Sequence, residues 1–273
     1  MITRHEWSAE AAVSAQDALV YKAAAKARTR IHALLGANDL GDPDEYRQFV
    51  VAFIRRYGTG GSFWEEHPKL DARRYAIRTF ELGNEPYFGE MTADEYADAV
   101  RPTLERVNRL RLPARIVLAS RVSGTDASWM EDLYEEIPRL NSLFYAFADH
   151  PYWYGHDPAE AGGEGPFQRV AILRRKMDAF GAPAKPIFIT EYGESTGDCG
   201  ENCVSEATQA RHLRRMIRFC QRPEMRIELL SVYQLIDRGT ESDDRELQFG
   251  LLRQNGSQKA AYGVVRAAIS GAF

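Results

Sequence analysis

The chain has 273 residues, 44% of them hydrophobic and 27% charged, a balance that excludes disorder and suits one large α/β domain or two small ones. Thirty-five basic and 39 acidic residues leave a net charge of −4. With no basic excess to grip phosphate backbones, the composition argues against nucleic acid as a partner. No apolar run approaches the ~20 residues of a membrane span, and Met1–Trp7 carries no signal-peptide core.

In chain order, an amphipathic stretch over Ala9–Ala27 predicts the first helix, and the apolar run Ile31–Leu35 the first clear strand. A helix over Asp44–Arg56 and a strand over Ala76–Leu82 follow. The next helix, Thr92–Leu110, opens on Thr92-Ala-Asp-Glu95, a capping-box pattern. Beyond it the pattern predicts strand Arg115–Ala119, helix Ser128–Ile137 and strand Leu143–Ala148. A helix over Pro166–Phe180 carries Phe167, Val170, Leu173, Met177 and Phe180 at three- and four-residue steps, a core-facing stripe. Strand Pro186–Thr190, helix Ser205–Cys220, strand Ile227–Leu235 and helix Ala260–Ile269 complete the series.

Strand–helix alternation of this kind predicts parallel strands with crossover helices. An open doubly wound sheet and a closed barrel both satisfy it. Gly58-Thr-Gly-Gly61 follows a helix and no Gly-rich loop follows a strand, so the dinucleotide fingerprint fails. Polar residues cluster just past strand ends, where a barrel builds its site. The expected fold class is therefore an α/β (β/α)8 barrel, a single domain over residues 1–273. Only six strands are clear where eight are needed, with Met1–Trp7 as the possible end of one more, so the barrel is expected to be incomplete at its N-terminal side.

Two strand ends carry a carboxylate. Leu82-Gly-Asn-Glu-Pro86 places Glu85 after one strand, with Asn84 beside it as a donor or acceptor for a substrate hydroxyl and Pro86 stopping the strand. Ile187-Phe-Ile-Thr-Glu-Tyr-Gly193 places Glu191 after another. Counting Ile31–Leu35 as the third barrel strand puts the two glutamates on strands four and seven. Carboxylates about 5–5.5 Å apart support double displacement, with Glu191 as nucleophile and Glu85 as acid/base. Each alone is equally well explained by a strand-ending turn or a rim ion pair.

Cys199 and Cys203 share one loop, which leaves room for a local disulfide in an oxidising compartment. No second Cys/His pair at ligand spacing accompanies them as a metal site would need.

The motifs taken together resemble clan A glycoside hydrolases, in particular the cellulase-like and xylosidase/iduronidase-like branches. Asn84-Glu85-Pro86 and Thr190-Glu191-Tyr-Gly193 look like the clan's two acidic signatures. Asp149-His-Pro-Tyr152 resembles its His-x-Tyr element, which carries to His150 and Tyr152 the role of surrounding the nucleophile. Arg56 to Trp64, with His67-Pro68, is similar to the loop before strand four, making Trp64 a candidate border of the cleft, with an ordinary packing role equally open. Tyr233-Gln-Leu-Ile-Asp237, Phe249-Gly-Leu-Leu252 and Lys259-Ala-Ala-Tyr262 look like the end of such a barrel. Tyr233 stands at or near the position of a strand-eight Trp that floors the sugar subsite, with Trp153 a candidate to compensate.

The resemblance implies a retaining glycosidase that cleaves β-glycosidic bonds in oligo- or polysaccharides, with a carbohydrate substrate and no cofactor or metal. It also implies a front portion with no counterpart here, of which Arg4 and Trp7 would be the remnant, so that an export signal upstream stays open and localisation undecided. Two other readings compete. One is an inactive sugar-binding or scaffold protein, suggested by strand edges left unpaired. The other is a metal-dependent barrel hydrolase using Glu85, His150, Glu191 and Asp237, although no His-x-His pair appears.

Overall fold

In a computed structural model, the structure describes residues 10–89, 91–122, 128–160, 165–241 and 243–271. Arg4 and Trp7 lie outside them. Six strands appear in the order β1-β2-β3-β4-β5-β6, every neighbour the next in sequence. The pairs β1–β2, β2–β3 and β5–β6 are parallel. A doubly wound sheet reverses its strand order at a switch point. This sheet does not, which decides for the barrel type, with six strands among the described residues where a closed barrel has eight. No helix among the described residues is long and apolar enough to cross a membrane. The chain divides into two compact units, with the boundary inside β4.

The first unit takes the described residues up to 121 and 128–147. It begins with α1 (Glu10–Tyr21), which runs on as one π-helical stretch, Lys22–Ala27. Strand β1 is His32–Leu35. Helix α2 (Pro43–Tyr57) starts where the Asp42 side chain accepts from the Asp44 and Glu45 amides, with Pro43 in the first turn and Arg55 and Arg56 in the last. Its buried face, including Val50, Phe53, Ile54 and Tyr57, packs on the strands. Two short helices, α3 (Ser62–Glu66) and α4 (Ala72–Tyr75), precede β2 (Thr79–Leu82).

The β2 strand begins three residues later than its apolar run suggests. The Ala76 N–H closes α4 on the Ala72 carbonyl, and Ile77 makes only an isolated bridge to Gly58. Helix α5 (Ala93–Arg109) carries the expected capping box, Thr92 and Glu95 each bonding the other's backbone N–H. Strand β3 (Arg115–Ala119), helix α6 (Trp129–Glu136) and strand β4 (Ala146–Asp149) follow. A 3-10 turn at Leu140–Ser142 is capped by Leu143, so β4 begins three residues later than the predicted strand Leu143–Ala148.

In the second unit, residues 122 and 148–271, helix α7 (Pro166–Ala179) packs Val170, Leu173 and Met177 inward. Strand β5 (Ile187–Tyr192) is followed by α8 (Glu206–Cys220), with Ser205 as its N-cap. Strand β6 (Ile227–Val232) leads to α9 (Ala260–Ile269) through an irregular excursion. Ile189 pairs with Leu230 and Tyr192 with Val232, so β5 holds one more residue than β6 across Thr190 and Glu191. Such a bulge re-aims the side chains it contains, and here it falls on the strand-end glutamate.

Candidate active site

Around the end of β5, the second unit gathers two of the predicted side chains on Glu191, with a third, Tyr233, beside them. The Tyr152 hydroxyl donates to Glu191 Oε2 at 2.9 Å. His150 Nδ1 lies 3.9 Å from the same oxygen, while its Nε2 is 2.9 Å from Thr190 Oγ1. Because Thr190 precedes Glu191, one imidazole is fixed against two consecutive strand residues. The Glu191 side chain keeps 24% of its surface open to solvent, enough for approach by a ligand. Tyr233, from the end of β6, meets Tyr152 edge-on at 6.4 Å. Its hydroxyl is held above the ordinary tyrosine range by burial, and the negative charges of Glu191 and Glu246 add to that against the opposing pull of Arg238.

Aromatic rings surround this carboxylate. Tyr152 stacks on Tyr154 at 5.2 Å, and Phe249 touches Tyr152, Tyr154 and Tyr233 edge-on at 5.4–6.1 Å. Guanidinium groups cover the outer faces, Arg245 at 3.9 Å over Tyr154 and Arg238 at 5.5 Å over Tyr233. Gly193 makes the closure of β5 on β6 possible. A Cβ there would sit 1.9 Å from the Tyr233 carbonyl oxygen, so any side chain would push the two strand ends apart.

Trp153 packs edge-on against His156 at 5.5 Å, and its buried indole N–H has no hydrogen-bond partner among the described residues. Asp237, considered above as a metal ligand, is instead buried against Lys259. Lys259 Nζ is 2.7 Å from Asp237 Oδ1, 2.7 Å from Thr196 Oγ1 and 3.0 Å from the Gln248 carbonyl, and Gly250 N–H donates to the same Asp237 oxygen at 2.7 Å. Among the described residues no group of three or more acidic, His or Cys side chains stands at metal-binding distance.

The first unit builds the other glutamate. Two buried helix tyrosines fasten the carboxyl ends of the strands: Tyr46 donates to the Leu35 carbonyl at 2.8 Å, and Tyr96 to the Leu82 carbonyl at 2.7 Å while accepting from Ala119 N–H at 3.0 Å. Past β2 the chain turns sharply. Gly83 has φ +79°, its N–H bonds Leu35, and Asn84 N–H bonds Ala37. Glu85 itself has φ +44°, the left-handed region that costs a non-glycine residue roughly 1–3 kcal/mol and clusters at functional sites. The turn continues as a 3-10 segment, Pro86–Gly89, with Phe88 N–H on the Glu85 carbonyl. Asn84 Oδ1 is buried with no hydrogen-bond partner among the described residues.

Trp64 requires a correction. It lies on α3, ahead of β2 and away from the strand's carboxyl end. It is 5% exposed, donates its indole N–H to the Tyr57 carbonyl at 2.9 Å and meets Phe63 edge-on at 5.0 Å. Packing accounts for it fully.

Two buried groups escaped the sequence reading. On β2, Glu81 Oε2 is 2.8 Å from His32 Nε2 on β1, and His32 Nδ1 is 2.9 Å from Thr79 Oγ1. In the second unit, Glu194 lies 1% exposed with its carboxylate on His212 Nδ1 at 3.0 Å. The interruption of an apolar strand run by Glu81 is itself a signal, since a charge inside a strand buried on both faces requires a partner. Cys199 and Cys203 are joined, and Cys220 is a free thiol whose pKa burial raises to about 12.

No family model and no curated protein matches this chain. Solved structures do. A glucosidase from Croceicoccus marinus superposes with a TM-score of 0.66 at 18% identity over 96% of this chain and 54% of its own. A family 51 α-L-arabinofuranosidase from Bifidobacterium longum gives 0.62 at 14% identity over 93% and 56%, and a monomeric β-xylosidase from Caulobacter crescentus CB15 gives 0.58 at 13% over 88% and 52%. The chain thus spans about half the length of these enzymes and shares the barrel fold of clan A glycoside hydrolases.

Proposed function

We propose that the protein is a retaining glycoside hydrolase acting on β-glycosidic bonds in oligo- or polysaccharides. The observation that carries this reading is the Tyr152 hydroxyl 2.9 Å from Glu191 Oε2 at the end of a barrel strand, with His150 at 3.9 Å. A carboxylate that accepts a phenolic hydrogen bond stays ionised and fixed in direction, which is what a nucleophile needs. In the first step Glu191 attacks the anomeric carbon, and the glycosidic oxygen leaves with a proton from Glu85. In the second, Glu85 takes a proton from water, the water oxygen attacks the same carbon, and the Glu191 ester bond breaks. Two inversions give net retention. Tyr152 and Tyr233, both half-buried, offer ring surface to a sugar and are backed by the buried Phe249. That the structural relatives include a glucosidase, a xylosidase and an arabinofuranosidase supports glycoside chemistry in general and leaves the sugar to the loops.

The reading is tested with a panel of aryl glucosides, xylosides and arabinofuranosides, followed by the 2-deoxy-2-fluoro analogue of whichever substrate turns over. Mass spectrometry of peptides from the inactivated protein should find the sugar esterified to Glu191. A label on another residue, or no turnover of any glycoside by folded protein, overturns it.

A further inference from the structure

Glu194 stands three residues beyond Glu191 and takes no part in the chemistry above. Its Oε1 faces His212 Nδ1 on α8 at 3.0 Å, and its Oε2 accepts the Gly155 N–H at 3.3 Å. The Glu194 carbonyl in turn accepts from Gln209 Nε2 at 2.9 Å, so the residue is fixed from both ends. A buried carboxylate is costly unless its oxygens are used, and here both are.

Gly155 belongs to the turn that follows β4. Its φ is +78°, and a Cβ there would lie 1.7 Å from the Glu201 carbonyl oxygen, so the 199–203 loop, closed by its disulfide, backs directly onto it. Two residues on, Asp157 is paired with Arg215 and lies 3.9 Å from His212 Nε2. Residues 155–157 are therefore held at three points. Immediately upstream, Tyr154 stacks on Tyr152 at 5.2 Å, the Tyr152 N–H bonds the His150 carbonyl at 2.8 Å, and the Tyr152 hydroxyl reaches Glu191.

We propose that Glu194 is a positioning residue: its carboxylate, braced by His212, fastens the Gly155 backbone and so holds the Tyr152 hydroxyl on Glu191. This rests on the assignment of Glu191 as nucleophile. The titratable groups that face Glu194 are His212 from α8, His156 from the turn after β4 and the Tyr192 hydroxyl from β5, with Asp157 and Cys220 also beside Tyr192. Burial holds the Glu194 carboxyl above the ordinary range against the pull of His212, Gly155 and His156, consistent with a group kept for its geometry more than for surface charge.

The test places 3-fluorotyrosine at position 152 and follows its fluorine resonance through a pH titration. A step that disappears in Glu191→Gln reports the hydrogen bond to Glu191. Glu194→Leu, which leaves Gly155 N–H and His212 without an acceptor, should broaden or split the resonance and abolish the step. Glu194→Gln, which still offers an oxygen, should keep it. In parallel, kcat should fall at least tenfold in the Leu variant with KM changed less than threefold, and the Gln variant should recover to within threefold of wild type. A Leu variant with an unchanged step overturns the proposal, as does a Gln variant that loses it. If the Leu variant does not fold, the Gln variant decides alone by the same step. The fluorine readout needs no turnover, so a protein that hydrolyses no glycoside refutes the assignment of Glu191 while the clamp is still judged on the resonance.

Discussion

Tyr152 and Glu191 lie 39 residues apart in the chain and are joined by one hydrogen bond of 2.9 Å. The donor comes from the turn after β4 and the acceptor from a bulge at the end of β5, so the contact exists only where two neighbouring strands end together. Tyr152→Phe removes the proton donor and keeps the ring. A hydrogen bond to a charged group contributes about 1.5–3 kcal/mol, so kcat/KM should fall roughly ten- to hundredfold. Loss of a donor to the ionised form raises the Glu191 pKa, and the acidic limb of the pH–rate profile should move to higher pH. An acidic limb that stays in place would show that the bond does not act on the nucleophile.

Glu85→Ala separates the two catalytic steps by leaving group. General-acid help contributes about 10²–10⁴-fold where the departing oxygen is a poor leaving group. The variant should lose that much in kcat/KM on an alkyl or oligosaccharide substrate and far less on a dinitrophenyl glycoside, whose kcat, limited by the unassisted attack of water, should rise with azide. Equal losses on both substrates would remove Glu85 from the acid/base role.

The Glu194 carboxyl has its pKa raised by burial, which outweighs His212, Gly155 and His156. A carboxyl whose folded pKa is raised contributes stability below its unfolded value, near 4.3, and loses it as pH rises through the folded value. Thermal melts of wild type and Glu194→Gln, compared at pH 4 and pH 7, should therefore show the Gln variant gaining on wild type at the higher pH. An identical difference at both pH values would contradict the burial argument.

Lys259→Met strips Asp237 of its buried cation, because the two are 1% and 3% exposed at their side chains and 2.7 Å apart. Removing one member of a buried pair costs about 3–5 kcal/mol, since the remaining charge has lost its partner. Denaturant unfolding measures the loss, and a change below about 1 kcal/mol would fall in the range of a surface pair instead.

Much of this molecule was legible before any coordinates. The six strands fall at the apolar runs, and the signal is nearly unbroken in β3, β4 and β5, which are covered on both faces. Capping chemistry fixed helix starts such as Thr92 to within a residue. Strand starts were less legible. Ala76 and Leu143 are apolar and belong to a helix end and a 3-10 turn, a distinction carried by backbone hydrogen bonds and not by hydrophobicity. Of the proposed site, Glu191, His150, Tyr152 and Tyr233 could be named from motifs, but their mutual distances could not. Trp64 shows the limit of that approach: an aromatic in a family-like loop suits a cleft border and a packing role equally, and its bond to the Tyr57 carbonyl favours packing. Glu194 is not legible in the sequence, because nothing in Tyr-Gly-Glu-Ser announces that His212, 18 residues further on, faces it.

The excursion between β6 and α9 is stitched by backbone bonds from Asp237 to Leu252, Leu251 to Gln234, Leu252 to Leu235 and Lys259 to Leu251, with the Lys259–Asp237 pair at its centre. A charge pair with no access to water cannot loosen by degrees. The amide protons of Asp237, Leu251, Leu252 and Lys259 should therefore show one common opening free energy in deuterium exchange, set by a single event that frees the whole stretch after Tyr233 at once.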